Sequence, residues 1–231
     1  MPRGRADRPG RSAGQPAPDR EQQRRSGNRG APPITPDPAV AEAEAQAAAE
    51  AQIDEAGASV TADVTDLGDN VSSLQSDVKA VPTDLKSMAA DLATTLTDEQ
   101  TVLTEAKKGT DSGTICGDSG TVEGDSGTVE ADEGTIEGDG GTLGGDDATV
   151  RASIQQLQDD ANALASARAV LASYSGSGPT ASAISAALDG ANAAIANGQK
   201  AYTTDLAKAK GYVTTADKYA AAASQACSNA P

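Results

Sequence analysis

The sequence predicts an all-α fold: an elongated three-helix antiparallel bundle or coiled coil preceded by a disordered basic N-terminal tail. Three observations lead there. From Val60 onward, apolar residues recur with the alternating three-and-four spacing that holds one helix stripe against a partner. From Asp111 the chain repeats every seven residues, as DSGTICG, DSGTVEG, DSGTVEA, DEGTIEG, DGGTLGG and DDATVRA, in a phase that continues into SIQQLQD. The composition has no Phe, no Trp, four Tyr and a large excess of Ala, which suits thin, closely packed helices better than an aromatic-lined globule.

Residues 1–38 read as the tail. Eight arginines lie before residue 30 among prolines and glycines, and nothing apolar there offsets the entropy of ordering them. Residues 39–57 are rich in Ala and Glu, but Ile53 is their one large core-forming residue, so they read as a marginal helix. The body, residues 58–227, divides into helices over 58–107, 111–174 and 180–227. In the first, the a positions are Val64, Val71, Val78, Leu85, Leu92, Glu99 and Ala106, and the d positions are Val60, Leu67, Leu74, Val81, Met88, Thr95 and Val102. Pro82 removes a backbone donor, at a cost of roughly 3 kcal/mol inside a helix. The phase nevertheless runs unbroken through it, which favours a kink over a new helix. Asp recurs just before the a position, at Asp63, Asp77, Asp84, Asp91 and Asp98.

The acidic repeats, residues 111–152, are a weakened copy of that pattern. Asp stands at g and a branched residue at d: Ile115, Val122, Val129, Ile136, Leu143 and Val150, followed by Leu157 and Leu164. The a position has become Ser112, Ser119, Ser126, Glu133, Gly140 and Asp147 until Ile154 restores it. The phase slips by one residue between Asp98 and Asp111, which places a turn in KKGTDSG, residues 107–113. Twelve glycines between residues 109 and 145 weaken this helix by about 0.8–1 kcal/mol each relative to Ala, so close packing of small residues against another helix is expected to offset them. The tetrapeptide GDSG, at residues 117–120 and 124–127, also surrounds the nucleophile of chymotrypsin-like proteases. With no histidine in the chain, the serine has no imidazole base, and GDSG reads as a heptad junction.

SYSGSGPT, residues 173–180, is a loop, and the third helix carries Ile184, Leu188, Ala191, Ile195, Gly198, Tyr202, Ala209, Tyr212, Ala216, Tyr219 and Ala223 at helical spacing. An up-down-up course brings Cys116 and Cys227 to the same end, where they can form a disulfide. Measured from the loop, the two arms differ by about 12 residues, roughly 18 Å of helix, which loosening at the glycines or an extended C-terminus would absorb. Two free thiols in a reducing compartment are the alternative.

The net charge of −16, from 34 acidic and 18 basic side chains, repels nucleic acid and anionic membranes from the body. No apolar run is long enough for a transmembrane span, and no signal peptide is readable. No cofactor, resident metal, catalytic residue or small-molecule substrate is expected. Eleven acidic and no basic residues between 109 and 149 raise a calcium-binding alternative. However, the period is seven rather than the nine of a β-roll, and aspartates seven residues apart on one helix lie about 10 Å from each other, too far to share an ion.

The heptad DSGTVEA running into VRASIQQLQDDANAL resembles the D-x-G-T-V-x-A repeats of uncharacterised helical proteins of high-GC actinobacteria, over residues 60 to 175. The resemblance implies a helical protein that is exported or associated with the cell envelope, and it carries over no functional residues. The expected function is a non-catalytic structural, spacer or interaction protein, with a protein partner or self-association through the heptad stripe. A cation-binding module using the acidic repeats is the alternative.

Overall fold

In a computed structural model of the protein, residues 37–231 are described, and their regular structure is entirely helical. The tail expected over residues 1–38 lies, up to residue 36, outside the described residues. By internal contacts the chain divides into two units, Met1–Ala41 and Glu42–Pro231. Three helices follow in order: α1 Pro38–Lys108, α2 Ser112–Val170 and α3 Ala181–Ser228. No described helix is long and apolar enough to cross a membrane.

The segment expected to be a marginal helix and the helix expected from residue 58 are one element. α1 continues through both and through Pro82. Residues 39–57 are anchored at their end by fully buried Ile53 and by Gly57. Every d position of α1 from Val60 to Val102 is buried, Thr95 included, whereas most a positions are only half-buried. In α2 the d residues from Ile115 to Leu164 are all buried. In α3 the buried set is Ile184, Ala191, Ile195, Gly198, Asp205, Ala209, Ala216 and Ala223. Each large apolar side chain so buried contributes about 1.5–3 kcal/mol relative to exposure, so one residue per heptad carries most of the core.

The turns are chemically specified. Gly109 closes α1 with φ 72°. Its N–H reaches the Ala106 carbonyl at 3.3 Å and that of Thr110 reaches Glu105 at 3.2 Å, the paired bonds of a glycine-terminated helix. Asp111 caps α2, its Oδ1 accepting from the Thr114 N–H at 3.0 Å, and Thr180 caps α3 through the Ala183 N–H at 3.3 Å. α2 ends at Val170 rather than at residue 174, and residues 171–180 form a loop that folds onto α1. Asp54 accepts from the Tyr174 hydroxyl at 2.8 Å, the Ser177 N–H at 2.9 Å and the Ser177 hydroxyl at 3.1 Å. Gly57 permits this seat, because a Cβ there would collide with the Ser177 carbonyl.

Cys116 and Cys227 form a disulfide with Cα atoms 4.7 Å apart. The mismatch in arm length is absorbed elsewhere than expected: α2 is helical through all its glycines, and Cys227 lies within α3. The compensation is at the other end. Arg168 donates to the Ser175 carbonyl at 3.0 Å and the Ser177 carbonyl at 3.3 Å, so the loop returns alongside the last turns of α2 before α3 starts. The disulfide braces the weaker end. Its small cluster of Val102, Ile115, Val122 and Ala223 is separate from the main core, and the buried residues between the two, Thr95, Glu99 and Ser126, are polar.

The glycines of α2 are likewise not where close packing needs them. Apart from Gly140, which sits under Tyr202, and Gly113, in the first turn, their Cβ positions meet nothing within 4 Å. They face solvent. Gly120→Ala, Gly127→Ala, Gly134→Ala and Gly141→Ala are therefore each expected to raise unfolding stability by about 0.8–1 kcal/mol in urea titrations, while Gly57→Ala lowers it by about 1–3 kcal/mol. Reducing the disulfide, which spans 111 residues, is expected to cost up to about 4.7 kcal/mol on the chain-entropy account. Hydrogen exchange should then rise first around Val102, Ile115 and Ala223.

Candidate functional site

The heptad places an aspartate beside the core stripe once per two turns in both α1 and α2, and the packing of the two helices turns these rows toward each other. Five pairs result: Asp63 with Asp160, Asp77 with Asp146, Asp84 with Asp139, Asp91 with Asp132 and Asp98 with Asp125. Each step of seven residues up α1 is matched by a step of seven down α2. At the one step where α1 has Asn and α2 has Ser, Asn70 Nδ2 donates to Ser153 Oγ at 2.9 Å. The row is a ladder of like charges with one neutral rung.

Electrostatics and burial act together on it. Burial, followed by the facing carboxylate of Asp160, pushes Asp63 above the ordinary carboxylate range. The same two causes raise Asp125, Asp132, Asp139 and Asp146, against Asp98, Asp91, Asp84 and Asp77 respectively. Asp160 is held low instead, chiefly by the Ser59 hydroxyl, which donates to it at 2.6 Å. In each of the five raised aspartates Oδ2 is buried and accepts no hydrogen bond. An ionised carboxylate is an acceptor only, so two facing each other supply no donor.

Sequence reasoning placed these aspartates at g but treated them as a single row. The structure brings two rows together, so the relevant spacing is across the interface rather than along one helix. Even so, no group of three or more Asp, Glu or Cys side chains among the described residues converges in a way that would hold a metal ion. Each rung offers two carboxylates.

The GDSG serines lie elsewhere. Ser119 and Ser126 are inside α2 and buried, at 3% and 5% exposure. The nearest acidic contact of Ser126 is a 3.5 Å bond to Asp217. A helical backbone around a buried hydroxyl offers neither an oxyanion site nor room for a substrate. The small cavity of 110 Å³ between Gly140 and Tyr202 holds one carboxylate, Asp147, already engaged by Arg151 at 3.3 Å and Gln199 at 2.9 Å.

No family model, curated protein or solved structure matches the chain. A fluorophosphonate probe is expected to leave Ser119 and Ser126 unlabelled in the folded protein, as read by intact mass. Stoichiometric modification that disappears in Ser126→Ala would contradict the buried-serine geometry.

Proposed function

We propose that the chain is a non-catalytic structural spacer or interaction protein built on an elongated, antiparallel helical coiled coil. The observation that carries this reading is the buried d stripe, which runs from Val60 to Val102 in α1 and from Ile115 to Leu164 in α2 without giving way to a cleft. Opposed stepping of the facing pairs along α1 and α2, and of Asp147 with Gln199 and Cys116 with Cys227 along α2 and α3, supports the up-down-up course. A helix of 59 residues, the length of α2, spans about 90 Å, which suits separation of whatever its ends contact. The resemblance to actinobacterial heptad proteins, together with the disulfide, which persists in oxidising surroundings, supports an exported or envelope location. Protein partners or self-association remain part of this proposal.

The ladder favours a second reading, a cation-binding module. Facing carboxylates are oxygen ligands of the hard type that calcium takes, and a cation between them would relieve their repulsion. Circular dichroism separates the two. The spacer reading expects full helical signal in chelator and a melting temperature unmoved by millimolar calcium. The cation reading expects calcium to raise the melting temperature, by a margin equivalent to about 2.7 kcal/mol at a hundred times the dissociation constant.

A further inference from the structure

We infer that the interface between α1 and α2 is an acid-strengthened clasp, in which each facing aspartate pair holds best when it carries a single proton, so that the clasp tightens as the surroundings acidify and loosens toward neutrality. The geometry carries this independently of the spacer and cation readings. In five of the six steps from Asn70–Ser153 and its neighbours the two groups are both carboxylates, and the buried Oδ2 of Asp63, Asp125, Asp132, Asp139 and Asp146 lacks a donor. One proton per pair supplies it: the protonated carboxyl donates to the ionised one, and the pair's charge falls from −2 to −1. The Asn70–Ser153 bond at 2.9 Å shows the same position satisfied by a neutral donor and acceptor.

The surrounding charges do not cancel the repulsion. From α1, Asp66 acts on Asp63, and the next aspartate along α1 acts on each of Asp125, Asp132 and Asp139. None of the four ion pairs among the described residues includes a ladder aspartate. The charged groups of α3 are engaged elsewhere: Asp205 with Lys208 at 2.8 Å, Lys210 with Glu137 at 3.3 Å, and Asp217 with Ser126 at 3.5 Å. Asp189, Lys200 and Lys218 are exposed, as are Lys79 and Lys86 of α1.

The sign follows from proton linkage. A carboxyl raised in the folded state binds more protons folded than unfolded, so its contribution is complete below the ordinary aspartate value and is lost as pH rises through the raised one. Carboxyls held low, namely Asp54 by the Ser177 N–H, Asp111 by Thr114 and Asp160 by Ser59, act the other way. They are lost only as pH falls below the ordinary value. Stability is therefore greatest in mild acid.

The test is thermal unfolding of the oxidised full-length protein between pH 7.5 and pH 4, alongside two variants of equal charge change. The wild type is expected to melt higher at pH 4 than at pH 7.5, by about 2–4 °C, a shift of ordinary size for a chain this long. The variant D125N/D132N/D139N/D146N is expected to melt above wild type at pH 7.5 and to lose most of the pH slope. The control E123Q/E130Q/D69N/D189N, which neutralises exposed acids, should keep the slope. A wild-type melting temperature that is flat or falls toward pH 4, or a control that behaves like the ladder variant, overturns the inference. Carboxyl carbon shifts of Asp125, Asp132, Asp139 and Asp146 give a second readout: midpoints above about 3.9 support the clasp, and midpoints at or below it overturn it.

Discussion

Everything in this molecule follows from a core that is one large residue wide. With a single Val, Leu or Ile per heptad in much of α2, the helices have one stripe to bury. Register is then not a free variable. A slip of one residue would exchange Val122 or Val129 for Glu123 or Glu130 at the buried position, removing an apolar group worth about 1.5–3 kcal/mol and burying a charge in its place. The stripe therefore dictates which residues flank it on each helix. In both α1 and α2 those flanking residues are aspartates, so their confrontation is a consequence of burying the stripe.

The same narrowness explains how so many glycines are tolerated. Apart from Gly113 and Gly140 they lie on the outer face of α2, where no neighbour contacts them, so their cost is intrinsic helix propensity and does not disturb packing. Compensation comes from connections remote in sequence. The disulfide joins residues 111 apart at the end where the apolar cluster is smallest. At the other end, Asp54 holds the loop through Tyr174 and Ser177, 120 and 123 residues away. A thin core fastened at both ends is a workable substitute for a thick one: the disulfide restricts the unfolded chain, and the Asp54 bonds hold the folded loop in place.

Periodicity made the helices legible. The d positions of α1 and α2, the turn at KKGTDSG and the helical setting of GDSG are readable from spacing. Boundaries and partnerships were less so. The union of residues 39–57 with α1 was hidden because its anchor, Ile53 against the loop at Gly176, depends on a contact far along the chain. Asp54 and Gly57 carried no local signal for the same reason. The glycines were misread because composition does not reveal which helix face a small residue occupies until the partner helices are placed. The aspartate pairs needed one more step, the register between two helices, which a period of seven within each helix leaves undetermined.

The ladder is also separable from the fold. Asn70 and Ser153 occupy the same kind of position and make an ordinary 2.9 Å hydrogen bond with no change in the helices around them. A neutral pair thus fits this rung, and Asn differs from the Asp of the other rungs by one donor group and one charge. The register is set by the buried stripe, which runs through the neutral rung as through the others. What the aspartates add is a dependence of interface strength on whatever neutralises them. The buried, donorless Oδ2 atoms locate that dependence in the interface itself, where an Oδ2 that loses its proton has no hydrogen-bond donor beside it.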